Sequence, residues 1–159
     1  MDSSTLTYVA YGLSALIYIV SFAGSDHLWK PSLSRKCLVA ASICAISGVF
    51  LEIVRLLGDD VGMTLVVMFA PLIYLGYFQL LRMIFKQWFN TEPHITSVSS
   101  SIGAPPLDLF TGANRDGKNR KYSKDRRVMA ADFLFSFLQA LVPAFTILAL
   151  TAIVKNLNK

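Results

Sequence analysis

Long stretches without a charged residue constrain this sequence more than any other feature. Three windows, at residues 6–24, 61–81 and 133–154, contain no Asp, Glu, Lys or Arg. A fourth window, 37–57, is as long but contains Glu52 and Arg55 near its end. An α-helix rises 1.5 Å per residue and crosses a hydrocarbon core of about 30 Å in about 20 residues. Each window is therefore long enough to cross a membrane once, and we predict four spans.

A soluble bundle of four helices is the main alternative to a membrane protein. Each helix of such a bundle needs a polar stripe that faces water, with a polar residue at every third or fourth position. Residues 65–75 read Leu-Val-Val-Met-Phe-Ala-Pro-Leu-Ile-Tyr-Leu and have no such stripe. Only 16% of the chain is charged and 54% is hydrophobic, whereas about a quarter of a soluble domain is charged.

We therefore expect an all-α, polytopic integral membrane protein with one membrane domain over residues 1–159. The hydropathy pattern places its four transmembrane helices at about 6–24, 37–57, 61–85 and 129–154. A long basic loop, residues 86–127, is expected between helices 3 and 4. Connections between neighbouring helices are usually only a few residues long, so an ordered loop of this length is typical of a binding element.

A secretory signal peptide is a second interpretation of the first window. Residues 21–23, Ser-Phe-Ala, have the small-x-small pattern of a cleavage site. Signal peptides begin with a positively charged region, however, and the sequence before the apolar run is Met-Asp-Ser-Ser-Thr. We expect the first window to be a spanning helix.

Lys and Arg are concentrated in two of the connections between spans. The first link carries Lys30, Arg35 and Lys36, and the loop 86–127 carries eight more basic residues. The opposite side has only Lys155 and Lys159, both in the C-terminal tail. Short cytoplasmic loops are enriched in Lys and Arg. We therefore expect both termini to be extracytoplasmic, and we favour the cytoplasmic, or inner, membrane.

The end of the long loop is the most basic part of the chain. Residues 115–127, which we call the basic segment, contain seven Lys or Arg and two Asp. A polybasic stretch beside a span attracts anionic lipid by about 1 kcal/mol per residue near the surface. It also suits an acidic protein partner, while a nucleic-acid partner is unlikely on this pattern. The predicted docking residues are Arg115, Lys118, Arg120, Lys121, Lys124, Arg126 and Arg127.

Span 2 carries a face of small residues. Cys37, Ala41, Cys44, Gly48 and Glu52 follow one another at spacings of four, three, four and four, which places them on one side of a helix. Small residues allow membrane helices to approach closely. We expect this face to pack against another helix, either of the same chain or of a second copy.

Glu52 continues this face at membrane depth. Arg55 follows three residues later, at a spacing that lets the two side chains pair on a helix. We favour an ion pair that fixes a helix contact, because an unpaired buried charge is expensive. The alternative is a proton or cation site, because intramembrane acids often serve transport.

The sequence contains no motif that carries chemistry. It has no phosphate-binding glycine loop, no His-Glu-x-x-His and no Gly-x-Ser-x-Gly. Cys37 and Cys44 are seven residues apart on one helix, about 10.5 Å, which is too far for a disulfide. His27 and His94 lie in links and provide no metal-ligand spacing. We expect no enzyme activity, no metal and no cofactor.

The leading hypothesis is a non-catalytic subunit of a larger membrane complex. Its basic loop would dock a partner protein or anionic lipid, and its spans would contact membrane lipids and other subunits or copies of itself. The alternative is a homo-oligomeric channel or pore with Glu52 in its lumen.

Overall fold

The chain folds into four long α-helices. The computed structural model describes residues 3–25, 28, 30–54, 61–90, 92–93 and 130–158. Within them, α1 is Ser3–Ala23, α2 is Pro31–Val54, α3 is Met63–Phe89 and α4 is Ala130–Leu157. Each helix is long and apolar enough to cross a membrane. The prediction of an all-α, multi-pass membrane protein with four spans is confirmed.

The helices extend beyond several of the predicted windows. α2 begins six residues early, at Pro31, so that Arg35 and Lys36 lie in the helix rather than in a link. α3 continues to Phe89 and includes Lys86, and α4 continues to Leu157. A hydropathy window stops at the first charge, but a helix can continue because long basic side chains reach out to water at the membrane surface.

Two residues in the left-handed region of backbone conformation flank α3. Gly62 has a φ of 89°, and its carbonyl accepts the first hydrogen bond of the helix from the Val66 N–H at 3.2 Å. Asn90 has a φ of 49°, and its N–H donates to the Lys86 carbonyl at 2.9 Å. Gly and Asn adopt this conformation at lower cost than other residues. These residues therefore define where α3 begins and ends.

The chain divides into two compact units. The first unit comprises Met1–Gly76 and Val142–Lys159, and the second comprises Tyr77–Leu141. α1 and α2 belong to the first unit, whereas α3 and α4 contribute residues to both.

Aromatic rings form much of the interior of the second unit. The Phe135 ring of α4 lies 5.9 Å from the Phe78 ring and 5.8 Å from the Phe85 ring, both edge-on. Phe85 also contacts Phe89 at 4.7 Å between ring centres. Edge-on pairs place the positive edge of one ring against the negative face of the other. These contacts join the part of α3 and the part of α4 that belong to this unit.

Candidate functional site

The small residues of α2 are buried inside the first unit. Ala41, Cys44 and Gly48 are buried, as is the neighbouring Ala45. A Cβ atom at position 48 would lie 2.5 Å from the Met68 Cβ, closer than two such atoms can approach. Glycine is thus the residue that allows α2 to contact α3 here. The structure places this contact within one chain.

Two sulfur atoms meet in the same contact. The Cys44 Sγ lies 3.9 Å from the Met68 Sδ, and both residues belong to a buried cluster with Ala10 of α1. Partly buried hydrophobic residues surround this cluster. A buried cysteine in apolar surroundings behaves as a small hydrophobic residue. We therefore assign Cys44 to helix packing.

A serine of α1 bonds to a carbonyl that a proline leaves without its helical donor. Pro71, within α3, has no N–H to donate to the Val67 carbonyl four residues earlier. The Ser14 hydroxyl donates to that carbonyl at 2.6 Å. Ser14 is itself almost fully buried. A side chain from one helix thus supplies a hydrogen bond that the sequence of another helix removes.

Among the residues that the structure describes, Tyr74 is the largest fully buried side chain. Its ring lies 5.3 Å from the Tyr18 ring and 5.8 Å from the Phe22 ring, both on α1. Ser21 lies between Tyr18 and Phe22 in the sequence and is buried. Its hydroxyl has no hydrogen-bond partner among the described residues. α1 and α3 are therefore joined by these aromatic contacts as well as by the Ser14 hydrogen bond.

Glu52 is placed at the beginning of α3. Its Oε1 accepts a hydrogen bond from the Gly62 N–H at 2.6 Å. Beside it, the Asn158 amide nitrogen donates to the Val61 carbonyl at 2.9 Å and to the Val154 carbonyl at 2.8 Å. A carboxylate is favourable near a helix N-terminus because the helix dipole is positive there. The ends of α2 and α4 are thus bonded to the residues that precede α3.

Several predicted site residues lie outside the described residues. Arg55 is one of them, so its ion pair with Glu52 stays a prediction. The seven predicted docking residues of the basic segment also lie outside the part of the chain that the structure describes. The structure thus brings Cys44 and Gly48 together with Met68, buries Ala41 on the same helix, and places Glu52 next to Gly62.

Three charged side chains form a cluster at the end of α3, in the second unit. Arg82 binds the carboxylate of Glu92 through two nitrogens, at 2.7 and 3.0 Å, and Lys86 binds it at 3.1 Å. The pKa of Glu92 lies below its ordinary value, mainly because Arg82 donates a hydrogen bond to the carboxylate. The hydrogen bond from Lys86 lowers the pKa of Glu92 further. We call these three residues the charged cluster. The Glu92 carboxylate neutralises one of the two positive charges of the cluster.

An apolar groove lies between α3 and α4. It is open, has a volume of about 100 Å³ and is lined entirely by apolar side chains, among them Leu81, Ile84 and Trp88 of α3 and Ala131, Leu134 and Leu138 of α4. We call it the α3–α4 groove. All of its lining residues belong to the second unit.

Two polar residues of α4 are buried in the second unit. Asp132, in the first turn of the helix, is fully buried and has an interaction partner. Gln139 is also buried, and its Oε1 has no hydrogen-bond partner among the described residues. Acidic residues are favoured in the first turn because of the helix dipole.

Sequence reasoning missed several of these residues. The roles of Ser14 and Glu92 depend on residues 53 and 10 positions away in the chain. One signal was available, because a proline within a membrane helix calls for a donor from a neighbouring helix. For Asp132, the signal was its position directly before the apolar window 133–154.

The described residues contain no group of three or more His, Cys, Asp or Glu that could hold a metal ion. The sequence matches no known protein family, and neither a curated protein nor a solved structure is significantly similar to it.

Proposed function

We propose that this protein is a non-catalytic, multi-pass subunit of a larger membrane protein complex. Its basic segment would dock a partner protein or anionic lipid on the cytoplasmic side. Both termini would then be extracytoplasmic, in a cytoplasmic or inner membrane, as the distribution of Lys and Arg favours.

The observation that carries this proposal is how little of the apolar surface of the described helices is buried. In the most apolar stretch of α4, only 11% of the residues are buried, and the share in α1 is 17%. Lipid can cover flat apolar surface, but the first unit also has an open apolar groove of about 310 Å³, lined by residues such as Val49, Phe69 and Leu150. A concave surface of this kind suits the side chains of a partner helix.

The position of Glu52 is the reason for preferring a subunit to a channel. Its carboxylate accepts a hydrogen bond from the backbone N–H of Gly62 and lies at the beginning of α3. This bond gives Glu52 a role in joining α2 to α3, so its presence at membrane depth does not require an ion pathway.

Affinity purification in a mild detergent, followed by mass spectrometry, tests the proposal. We expect the full chain to be recovered with at least one other membrane protein in fixed proportion. Replacing the seven Lys and Arg of the basic segment with Gln should reduce that recovery about tenfold if the segment docks a protein. The matched control replaces Lys155 and Lys159 with Gln and should recover the partner as before.

Reporter fusions at position 159 and near position 100 should accompany these variants, because removing basic residues can also invert a membrane protein. An extracytoplasmic C-terminus is expected for every variant used. A cytoplasmic C-terminus in the unmodified chain would contradict the proposed orientation. A purified chain that forms uniform rings, and makes liposomes conductive in a way that Glu52→Gln alters, would favour the channel instead.

A further inference from the structure

We propose that one water molecule binds between α1 and α3, where it bridges the hydroxyls of Ser21, Ser25 and Tyr74. All three residues belong to the first unit. The site is independent of the basic segment and of membership of a complex.

The Ser21 hydroxyl is the group that calls for a ligand. Ser21 is 1% exposed, and its Oγ has no hydrogen-bond partner among the described residues. Ser14, two turns earlier on the same face of α1, is equally buried but donates to the Val67 carbonyl. A buried hydroxyl without a partner destabilises a protein, and alanine at the same position would avoid this cost. A serine at position 21 therefore indicates a ligand that forms a hydrogen bond with it.

Two further hydroxyls belong to residues that surround Ser21. The Tyr74 ring of α3 contacts the rings of Tyr18 and Phe22 on α1. Ser21 lies between these two residues in the sequence. The Tyr74 side chain also interacts with that of Ser25, which is buried just after the end of α1. The three hydroxyls are therefore grouped where α1 ends against α3.

The spacing of the two serines suits a bridging water. The Gly24 N–H bonds to the Val20 carbonyl at 2.9 Å, so the helical course of α1 continues up to the residue before Ser25. Residues four apart on a helix have Cβ atoms about 5–6 Å apart. A water molecule that bonds to an oxygen at about 2.8 Å on either side spans a similar distance. Water therefore joins the two hydroxyls at a separation that is too long for a direct bond.

Water also fits the burial and the chemistry of the site. Ser25 is 6% exposed and Tyr74 is fully buried, so the ligand has to be small. None of the three side chains is an acid or a base that would favour an ion at neutral pH. Each hydroxyl both donates and accepts, so the interaction between Tyr74 and Ser25 leaves each of them capacity for a further bond. Buried waters form about three hydrogen bonds, which the three hydroxyls supply.

Radiolytic labelling of the full chain in lipid nanodiscs tests the site. An X-ray pulse forms hydroxyl radicals from water, and these radicals oxidise aromatic rings next to the water molecule. Tyr74 is shielded from bulk water, so its oxidation requires a water molecule held inside the protein. Phe78, a similarly buried ring of the second unit, is the matched control. We expect mass spectrometry to show Tyr74 oxidised at least fivefold faster than Phe78.

A pair of serine variants tests whether Ser21 holds the water. Ser21→Ala should lower the oxidation rate of Tyr74 at least threefold, because the water loses one of its three bonds. Ser47→Ala makes the same chemical change at an exposed serine of α2 and should leave that rate unchanged. Circular dichroism and size-exclusion chromatography identify variants that retain the fold. The comparison of Tyr74 with Phe78 in the unmodified chain depends on no variant.

The stability of the Ser21 variant provides a second readout. With a water bound, Ser21→Ala should lower the midpoint of thermal unfolding in detergent. A dry, unpaired hydroxyl predicts the opposite, because its removal abolishes the cost of burying it. The proposal is overturned if Ser21→Ala raises the midpoint or leaves it unchanged, or if Tyr74 is oxidised no faster than Phe78. It is also overturned if the two serine variants change the oxidation of Tyr74 equally.

Discussion

Single polar side chains form hydrogen bonds to backbone carbonyls at membrane depth, and in the case of Ser14 the carbonyl has lost its helical donor to Pro71. Ser14 bonds to the Val67 carbonyl, and Thr146 and Thr151 bond back to carbonyls of their own helix at 2.8 Å. Unpaired backbone groups are costly in hydrocarbon, where water is not available. These Ser and Thr side chains are uncharged, and each of them donates one hydrogen bond.

Ser14→Ala should destabilise the protein by about 1 kcal/mol, which is within the range measured for hydrogen bonds between membrane helices. The reason is that the Val67 carbonyl loses its donor, and Pro71 cannot replace it. Denaturation in mixed detergent micelles measures the change in free energy of unfolding.

Combining this change with Pro71→Ala isolates the cause. Alanine at position 71 restores the backbone N–H that can bond to Val67, so Ser14→Ala should cost clearly less in that background. Equal losses in both backgrounds would show that Ser14 acts through packing alone.

The titration of Glu92 depends mainly on Arg82. The folded pKa of Glu92 is lowered, so the charged cluster stabilises the protein above the ordinary pKa of a glutamate, about 4.3. This stabilisation is lost as the pH falls through the lower, folded value. Arg82→Gln should raise the pKa of Glu92 more than Lys86→Gln does. Carboxyl ¹³C NMR measures both, and an ordinary pKa for Glu92 in the unmodified chain would contradict the geometry of the cluster.

At the scale of elements, the face of small residues decides how α2 contacts α3. Gly48 lies opposite Met68, where a Cβ atom has no room. Cys44 and Ala41 continue the same buried face, about one and two turns before Gly48. The close approach of the two helices is therefore encoded in the small size of these residues.

Gly48→Ala should destabilise the protein by about 1–3 kcal/mol, as overpacking does in other tightly packed interiors. Gly76→Ala is the matched control, because a Cβ atom at position 76 has nothing within 4 Å. Alanine favours helix formation over glycine, so the control should show no loss. Thermal unfolding in detergent compares the two, and equal stability would mean that α2 and α3 do not touch at Gly48.

The existence of the four helices could be predicted from the sequence, whereas their ends could not. Apolar length is a local property, so windows such as 61–81 identify the spans. The ends depend on backbone bonds and on how far basic side chains reach, which is why α2 begins at Pro31 rather than near residue 37. The face containing Gly48 could be predicted from spacing, but Met68 as its partner depends on three-dimensional packing.

Hydropathy does not predict the contacts of the charged residues in the candidate sites. Glu92 follows a span, and its spacing from Arg82 and Lys86 does not predict a contact with either residue. The contact forms because α3 ends at Phe89 and the chain then turns back. The sequence predicts that Glu52 pairs with Arg55, three residues later, and Arg55 of this pair lies outside the described residues. The observed partner of Glu52, Gly62, becomes a neighbour only when α2 and α3 are placed side by side.

At the scale of the whole molecule, a large part of the apolar surface of the four described helices is exposed. Side chains of the first unit such as Ile46, Phe50 and Ile53 of α2 and Phe145 and Leu148 of α4 are exposed. Lipid or other subunits must cover this surface in a membrane. A function that belongs to an assembly is consistent with such a chain.

The mass of the native assembly tests the central claim most directly. The chain has a mass of 17.6 kDa, and native mass spectrometry of assemblies released from their membrane compares this value with the observed one. We predict a larger mass that is not a multiple of 17.6 kDa after bound lipid is removed, together with a second polypeptide released on activation. A mass equal to that of the chain, or to an integer multiple of it, would contradict the account.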